Sequence, residues 1–271
     1  MSCEGKLIDC DCYKRLSQGV EIHVCFESFV MKYLVFLILA LFGCSTSSVE
    51  LTDTIDPDIV IVNISDGDRA YIGSLIHKID SCKPKLIVTN TLFRERKDSR
   101  SDLILENALQ KSENVILPYG YKGTNNIVRS NHIFERHAKL LGALTHSKNH
   151  GVNFFTSIIQ DENGQNWEHL AFVVASSIKP NLKQELSSNE SIRIKYTRKL
   201  SGFTQIQSSE LNTQKDYNIL HNKIVLLGYI GPTDEDKYFT PMKETHEFPL
   251  KPDTYGIVVL ANEIRMLLEM K

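Results

Sequence analysis

A regular alternation of apolar and polar positions begins near residue 57. Residues 59–64 form a run of mostly apolar, β-branched side chains, which predicts a strand buried on both faces. Apolar residues then recur at the spacing of one helical face, at Ile72, Leu75, Ile76 and Ile79. A second strand at 85–90, a second helix that carries Leu105, Ala108 and Leu109, and a third strand at 114–117 follow. The order β-α-β-α-β with short links predicts a mostly parallel sheet.

The remaining pattern is less regular but keeps the alternation of strands and helices. It predicts helices at 131–142, 170–175 and 257–268, and strands at 152–159, 192–196 and 223–228. The sequence has no internal repeat and no second domain boundary. We therefore predict a single α/β domain over residues 57–271, with a mostly parallel sheet and flanking helices in a three-layer, doubly wound-like arrangement.

Composition adds one exclusion to this picture. The 271 residues carry 31 Lys and Arg against 33 Asp and Glu, a net charge of −2, and 42% of them are apolar. These values are typical of a globular domain with a sizeable core. A near-neutral chain lacks the basic excess of a dedicated nucleic-acid-binding protein, so we predict no nucleic-acid partner.

An uncharged apolar run at residues 33–43 sets the front of the chain apart. A bilayer span needs about 20 residues, whereas a run of this length fits the apolar region of a secretory signal. The sequence Leu41-Phe42-Gly43-Cys44 looks like a bacterial lipobox, in which the cysteine is acylated and becomes the first mature residue. The alternative interpretation is a buried strand or core helix.

The signal interpretation divides the chain into segments. Met31 is then the natural start, so residues 1–30 are predicted to be an over-long gene start, 31–43 a lipoprotein-type signal peptide and 44–56 a linker. It predicts a location in the cell envelope, with acylated Cys44 anchoring the chain to the lipid membrane so that it faces the periplasm or the cell exterior.

Several polar side chains follow predicted strands or open predicted helices. Because open α/β sheets bind ligands at the carboxyl ends of their strands, we predict that these side chains lie near one another and form a ligand site. They are Asp66, Asp68, Arg69, Asp234, Asp236, Asp253 and Asn262. In one alternative the acids bind a hard cation through their oxygens. In another, Asp68 and Asp253 cap helices, Arg69 pairs with an acid to fasten a loop, and the remaining acids form a solvated loop.

The common catalytic and nucleotide-binding fingerprints are missing from the sequence. None of GxGxxG, GxxxxGK[ST], GxSxG or HExxH occurs. We therefore predict no catalytic residue, no cofactor and no dedicated metal site.

Short motifs spread along the chain together resemble the CHASE type 2 domain, an extracytoplasmic sensory module of bacterial cyclases and histidine kinases. The first are Ile61-Val-Asn-Ile64 with Asp68-Arg69, residues 83–88 leading to Phe93, and Asp102 ahead of Leu105 and Ala108-Leu109. The next are residues 151–154 and the turn at 161–164. The closing ones are residues 222–228, Asp236, Thr240-Pro241, residues 252–256 and Ala261-Asn262. The resemblance runs from about residue 58 to residue 268.

This resemblance implies a sensory domain without enzymatic activity that binds an unidentified small molecule or ion and acts through a partner, such as a membrane signalling protein. The sequence departs from the family in two respects. The family often has an aspartate where Asn90 ends the second predicted strand, so an acidic cluster here is one charge weaker. Family members also usually continue into transmembrane helices and a cytoplasmic effector, whereas we expect this chain to carry the sensor alone.

Two other functions stay open from the sequence. The first is a metal-assisted hydrolase that uses the acids at the strand ends. The second is a purely structural lipoprotein with a degenerate sensor fold. Metal analysis and hydrolysis assays with added Mg²⁺, Mn²⁺ or Zn²⁺ separate the first of these from a binding domain.

The lipid anchor can be tested directly by replacing Cys44 with serine. We expect the Cys44→Ser variant to lose fatty-acid labelling and lipoprotein-type processing, because a hydroxyl replaces the acylated thiol and a cysteine that carries several acyl chains is what holds such a chain stably on a membrane. Metabolic labelling and intact-mass measurement check this. Unchanged labelling and mass in the variant would contradict the proposal.

Overall fold

The computed structural model describes residues 49–122, 126–144, 151–186, 190–243 and 251–270. The predicted gene start, the predicted signal peptide and Cys44 lie outside the described residues.

The described part of the chain is built from strands and helices that alternate along the sequence. The strands are β1 (Ile59–Asn63), β2 (Leu86–Thr89), β3 (Val115–Lys122), β4 (Asn126–Val128), β5 (Leu140–Ala143), β6 (Phe154–Thr156), β7 (Ile158–Gln160), β8 (Asn166–Glu168), β9 (Ser191–Arg193), β10 (Thr204–Gln207), β11 (Ile224–Gly228), β12 (Lys237–Tyr238) and β13 (Thr254–Tyr255). The helices are α1 (Arg69–Ser81), α2 (Ser99–Lys111), α3 (His132–Glu135), α4 (Leu170–Ile178), α5 (Leu182–Glu185), α6 (Tyr217–Leu220) and α7 (Gly256–Glu269). Short 3₁₀ helices cover Leu200–Gly202 and Ser208–Glu210.

The main sheet has the strand order β10-β1-β11-β2-β3-β5, and neighbouring strands in this order are parallel. β4 pairs antiparallel with the last part of β3. Three small antiparallel ribbons, β6–β9, β7–β8 and β12–β13, complete the described strands. The order of the strands differs from their order in the sequence, since β11 lies between β1 and β2.

Helices cover both faces of the sheet and give three layers. Alternate side chains of β1 point to opposite faces: Val60 and Val62 pack with α1 and α2, whereas Ile59 and Ile61 pack with α4 and α7. The central strands are buried along their whole length because each face is covered. This is the predicted α/β fold with a mostly parallel sheet and flanking helices, and the prediction is confirmed.

Most predicted elements appear at the predicted positions, but two are wrong. The predicted helix at 131–142 is the short helix α3 followed by strand β5, because the segment Leu140–Ala143 joins the edge of the main sheet beside β3. The predicted strand at 152–159 is split between β6 and β7, which pair in different ribbons. Between them, buried Ser157 donates a hydrogen bond to the carbonyl of Leu186 at 2.8 Å.

Residues 49–56 lie along the domain. The amides of Glu50 and Thr52 donate hydrogen bonds to the carbonyls of Tyr196 and Thr197, at 3.0 and 2.9 Å. The side chain of Asp56 accepts hydrogen bonds from the amides at the start of β1. The chain therefore reaches β1 from the segment that contains Tyr196.

Helices α1 and α2 approach each other closely at Gly73. A Cβ atom placed there would lie 2.8 Å from the Cα atom of Leu105 and 2.9 Å from its nitrogen. Backbone atoms cannot rotate away as a flexible side chain can. The distance between the two helices therefore depends on this glycine.

Replacing Gly73 with alanine tests that packing. We expect Gly73→Ala to lower the free energy of unfolding, because overpacking against backbone costs about 1–3 kcal/mol and outweighs the gain in helix propensity of up to about 1 kcal/mol. Urea denaturation measures the change. Ser74→Ala, one residue along on the exposed face, is the matched control and is expected to be close to neutral. Equal midpoints for the two variants would show that the contact at Gly73 is not tight.

Candidate functional site

The order of the main sheet creates a crevice at the carboxyl end of β11. After β1 and β2 the chain leads to α1 and α2 on one face, whereas after β11 it leads to α7 on the other face. Neighbouring strands whose connections leave towards opposite faces mark the place where open α/β sheets bind ligands. Here such a place lies on each side of β11.

Asn63, at the end of β1, joins three of these strand ends. Its Nδ2 donates to Gln207 Oε1 at 2.9 Å and to the Ile230 carbonyl at 2.8 Å. Its Oδ1 accepts from the amides of Ser65 at 3.0 Å and Ile230 at 2.9 Å. The ends of β10 and β1 and the loop after β11 are therefore held together by one buried amide side chain.

Asn90, just past the end of β2, makes the corresponding contact on the other side of β11. Its Nδ2 donates to Asp236 Oδ2 at 3.1 Å. The carbonyl of Asp236 accepts the amide of Gly256, the first residue of α7, at 2.8 Å. Asp236 therefore connects the end of β2 with the start of the last helix, where the helix dipole favours a carboxylate.

A cavity of about 290 Å³ opens between the loop after β1 and the loop after β2. We call it the strand-end cavity. Its polar lining consists of Asp68, Arg69, Thr91, Lys97, Asp98 and Ser101. This lining combines two cations and two carboxylates in a depression at the carboxyl edge of the sheet.

Arg69, which lines the strand-end cavity, forms a buried ion pair with Asp102 behind it. Arg69 Nη1 lies 2.5 Å from Asp102 Oδ1, and the two residues are 7% and 1% exposed. The guanidinium carbon lies 5.2 Å from the centre of the Phe134 ring, a cation–π distance. Asp102 Oδ2 accepts the amide of Lys97 at 3.0 Å, which ties the loop after β2 to the first turn of α2 and, through Arg69, to the start of α1. Arg69 thus pairs with an acid that fastens a loop, as the structural alternative expected.

Two helices begin at this cavity, and each is capped by an aspartate. Asp68 Oδ1 accepts the amide of Tyr71 at the start of α1, at 2.8 Å. Asp98 Oδ2 accepts both the amide and the hydroxyl of Ser101 at the start of α2, at 2.8 and 2.9 Å. These hydrogen bonds to the charged form lower the pKa of Asp98, so its carboxylate is ionised at neutral pH.

The predicted site residues are divided among several places. Asp68 and Arg69 line the strand-end cavity, and Asp236 contacts Asn90. Asp66 is exposed in the loop after β1. Asp234 is exposed and pairs with Lys237 Nζ at 3.0 Å, and Asp253 accepts the hydroxyl of Thr254 at 3.1 Å.

The capping role expected for Asp68 is confirmed, because its side chain accepts the amide of Tyr71 at the start of α1. The capping role expected for Asp253 is wrong, because Tyr255 occupies the N-cap position of α7.

Asn262 has a structural contact set. It is fully buried in the middle of α7, and its Oδ1 accepts the amides of Thr197 and Arg198 at 3.0 and 3.1 Å. Its Nδ2 donates to the carbonyls of Arg198 and Val258, both at 2.9 Å. The side chain thus holds the segment against which residues 50–52 lie.

Two tyrosines lie near α7, of which Tyr196 is fully buried and Tyr238 half-buried. Burial raises the pKa of Tyr238 to about 12, and the nearby carboxylates of Asp236 and Glu263 act in the same direction. Burial also raises the pKa of Tyr196, whose hydroxyl donates to the Val152 carbonyl at 2.7 Å. Both phenols therefore stay neutral, and available as hydrogen-bond donors, throughout the physiological pH range.

Two other depressions differ from the strand-end cavity in chemistry or place. A groove of about 410 Å³ is lined by β6, β7 and His169, including the exposed ring of Phe154, and carries no carboxylate, Lys or Arg. A cavity of about 260 Å³ beside Asp58, Lys85 and Arg265 lies at the amino ends of the strands. The strand-end cavity combines the position expected for a ligand site with converging charged groups, so we favour it.

The described residues contain neither a candidate metal centre nor a membrane-spanning helix. Among residues 49–122, 126–144, 151–186, 190–243 and 251–270, no three His, Cys, Asp or Glu side chains are arranged to hold a metal ion. No helix in that same part of the chain is long and apolar enough to cross a bilayer.

Sequence reasoning missed several residues at this edge. The sequence pattern does not reveal that the side chains of Asn63 and Asn90 link neighbouring strand ends. It also does not reveal that the strand-end cavity is lined by Thr91, Lys97 and Ser101. The available signal was their position, because each lies within the connection that follows β1 or β2 or in the first turn of α2. The ion pair between Arg69 and Asp102, which holds Arg69 at the cavity, joins residues 33 positions apart.

Comparison with known proteins gives one match. The family model described as CHASE2 domain matches residues 37–271. No curated protein and no solved structure matches the chain significantly.

The joining role of Asn63 predicts a large stability effect. We expect Asn63→Ala to cost about 2–4 kcal/mol, because it removes four hydrogen bonds worth about 0.5–1.5 kcal/mol each and leaves backbone groups of Ile230 without partners. Gln207→Ala, which removes one of the four, is the matched control at about 1 kcal/mol. Urea midpoints measure both variants. A cost for Asn63→Ala no larger than that for Gln207→Ala would refute the joining role.

Proposed function

The chain belongs to the CHASE2 domain family of extracytoplasmic sensory domains, and we propose that it senses a small molecule through the strand-end cavity and reports to a partner protein. The sensory class comes from the family. The position of the ligand site and the route to the partner are our proposals, argued below from contacts within the domain.

One observation carries the assignment of the site. The strand-end cavity lies beside the topological switch of the sheet, and its wall contains Arg69, a cation that is only 7% exposed. Burying a charge costs several kcal/mol unless partners compensate for it. A buried guanidinium at the carboxyl edge, facing an open cavity, is the arrangement expected of a group that recognises a polar ligand.

Helix α7 offers a physical route from this edge to the rest of the domain. It begins at Gly256, whose amide donates a hydrogen bond to the carbonyl of Asp236. The side chain of Asp236 in turn accepts a hydrogen bond from Asn90, just past the end of β2. Further along α7, Asn262 binds the main chain at Thr197, to which Thr52 is bonded. We propose that a shift of the loop after β2 on ligand binding moves α7 and, through it, the segment where the chain enters the domain.

The proposed lipid anchor places that segment near the membrane. Five peptide links separate Cys44 from Val49, which forms a β-bridge with Tyr196. An extended chain spans at most about 3.5 Å per residue, so an acylated Cys44 holds the Tyr196 segment within roughly 18 Å of the bilayer. The end of the proposed route would then face a membrane-embedded signalling partner, which is the kind of partner that we propose.

The experiment compares ligand-induced stabilisation in three forms of the full chain. A library of small envelope metabolites is screened by thermal shift on the wild type, on Ser101→Trp and on Ser99→Trp. Ser101 lines the strand-end cavity, so an indole there fills it, whereas Ser99 is exposed one half-turn away and does not line it. The Ser99 variant is therefore the matched control.

We expect at least one compound to stabilise the wild type and the Ser99→Trp variant but not Ser101→Trp. At a hundred times its Kd a ligand stabilises by about 2.7 kcal/mol, which corresponds to a rise in Tm of roughly 5–10 °C for a domain of this size. The proposal fails if no compound stabilises the wild type. Its site assignment fails if stabilisation persists in Ser101→Trp.

A further inference from the structure

The donors of Arg69 indicate what the strand-end cavity recognises. A guanidinium carries five N–H groups, and Arg69 uses one of them, from Nη1 to Asp102, among its contacts in the described residues. The side chain is 8% exposed, and its residue lines the cavity. A planar cation fixed by Asp102 and the Phe134 ring therefore offers donors that have no partner in the part of the chain that the structure describes. Carboxylates and phosphates are the acceptors that fit such a fork.

The two capping aspartates offer the complementary group. Asp68 uses Oδ1 and Asp98 uses Oδ2 for their helix caps. The other oxygen of the Asp68 carboxylate accepts no hydrogen bond from the described residues, and the Asp98 carboxylate also receives the backbone amide of Arg100. Both residues line the same cavity as Arg69. An ammonium group is the natural partner for two carboxylates that line one cavity.

The balance of charge in the lining argues against a ligand that carries only one sign of charge. The lining contains Asp68 and Asp98 against Arg69 and Lys97, so its formal charge sums to zero, and Asp102 behind Arg69 adds one negative charge. A dianion such as phosphate would meet three carboxylates. A plain cation would meet Arg69 and Lys97. A molecule that carries both signs meets a partner for each.

The rest of the lining sets the size and the polarity of the ligand. Ile72, Leu92 and Phe93 form an apolar wall. A volume of about 290 Å³ corresponds to the share of roughly ten water molecules in the liquid. The occupant is therefore on the order of ten non-hydrogen atoms, with one small apolar part.

We propose that the strand-end cavity binds a free α-amino acid with an apolar side chain, its carboxylate on Arg69 and Lys97 and its ammonium on Asp68 and Asp98. The apolar side chain lies against Ile72, Leu92 and Phe93. This inference rests on the proposed function, which places a small-molecule site in the cavity, and it names the class of ligand.

Titration calorimetry on the full chain tests the inference with matched probes. The probes are L-alanine, L-leucine and L-phenylalanine, then 4-methylpentanoate, which lacks the ammonium group of leucine, and 3-methylbutylamine, which lacks its carboxylate. Inorganic phosphate is the anion control. We expect at least one of the amino acids to bind, and we expect leucine to bind at least ten-fold more tightly than either of its halves, because each half leaves one set of charged groups without a partner.

Variants of exposed lining residues test each end of the ligand without disturbing the buried pair. Asp98→Asn keeps the helix cap, since asparagine caps as well as aspartate, but removes the charge. Lys97→Gln removes the exposed cation. The matched controls are Glu95→Gln and Arg96→Gln, which change the same charges in the same loop but do not line the cavity. We expect roughly ten-fold weaker amino-acid binding in the first two variants and unchanged binding in the controls.

Each outcome decides the inference. Amino-acid binding that is lost in Asp98→Asn and Lys97→Gln, but kept in both controls, supports it. Phosphate or 4-methylpentanoate binding more tightly than leucine overturns the zwitterion assignment. If no amino acid binds while another compound stabilises the wild type but not Ser101→Trp, the inference is wrong and the proposed function stands. If nothing binds, both are wrong.

Discussion

Arg69 and Asp102 form a buried ion pair, and the two loops that enclose the strand-end cavity are held in place by it. The pair joins the first residue of α1 to the first turn of α2, and Asp102 also accepts the amide of Lys97. Removing one partner of such a pair costs about 3–5 kcal/mol, because it leaves an uncompensated buried charge. Replacing both partners by packed apolar side chains is often neutral or stabilising. Stability alone therefore does not account for the pair, and the proposed function gives Arg69 a second role.

The opposite side of the edge is joined by neutral amides. An asparagine side chain both donates and accepts, so Asn63 can bind main-chain groups and Gln207 at once. Asn90 donates to Asp236, which an ionised aspartate at position 90 could not do. An aspartate at position 90 would set two carboxylates against each other, whereas Asn90 forms a hydrogen bond. The charged side chains near this edge are therefore gathered in the strand-end cavity, on the other side of the loop after β2.

Local pattern was sufficient for the parts of the fold that local chemistry decides. The apolar runs of β1, β2 and β11 and the Asp68 cap of α1 are readable because burial on two faces and N-capping each leave a signature within a few residues. The stretch 131–142 was misread, because the segment Leu140–Ala143 becomes a strand only through its pairing with β3, which the local sequence does not reveal.

The sequence was sufficient to predict the edge of the sheet at which the candidate site lies, but not which residues line it. The rule that ligands bind at the carboxyl ends of strands led correctly to Asp68 and Arg69 as lining residues of a cavity. It also included Asn262, whose partners at Thr197 and Arg198 lie 65 and 64 positions away and are buried. It omitted Lys97 and Asp102, because their role depends on a contact between two helices. Long-range contacts, rather than residue types, decide here which side chains line the cavity and which hold the fold together.

Amide hydrogen exchange with a bound ligand tests most directly the claim that the strand-end cavity is the sensory site. Exchange is followed by mass spectrometry on the full chain, with and without the compound that gives the largest thermal shift. The account predicts slower exchange in peptides that cover residues 64–72 and 91–102, because those loops and first helical turns enclose the ligand. Protection confined to the groove at 154–160 and His169, or to the cavity beside Asp58, Lys85 and Arg265, with the strand-end loops unchanged, would contradict it.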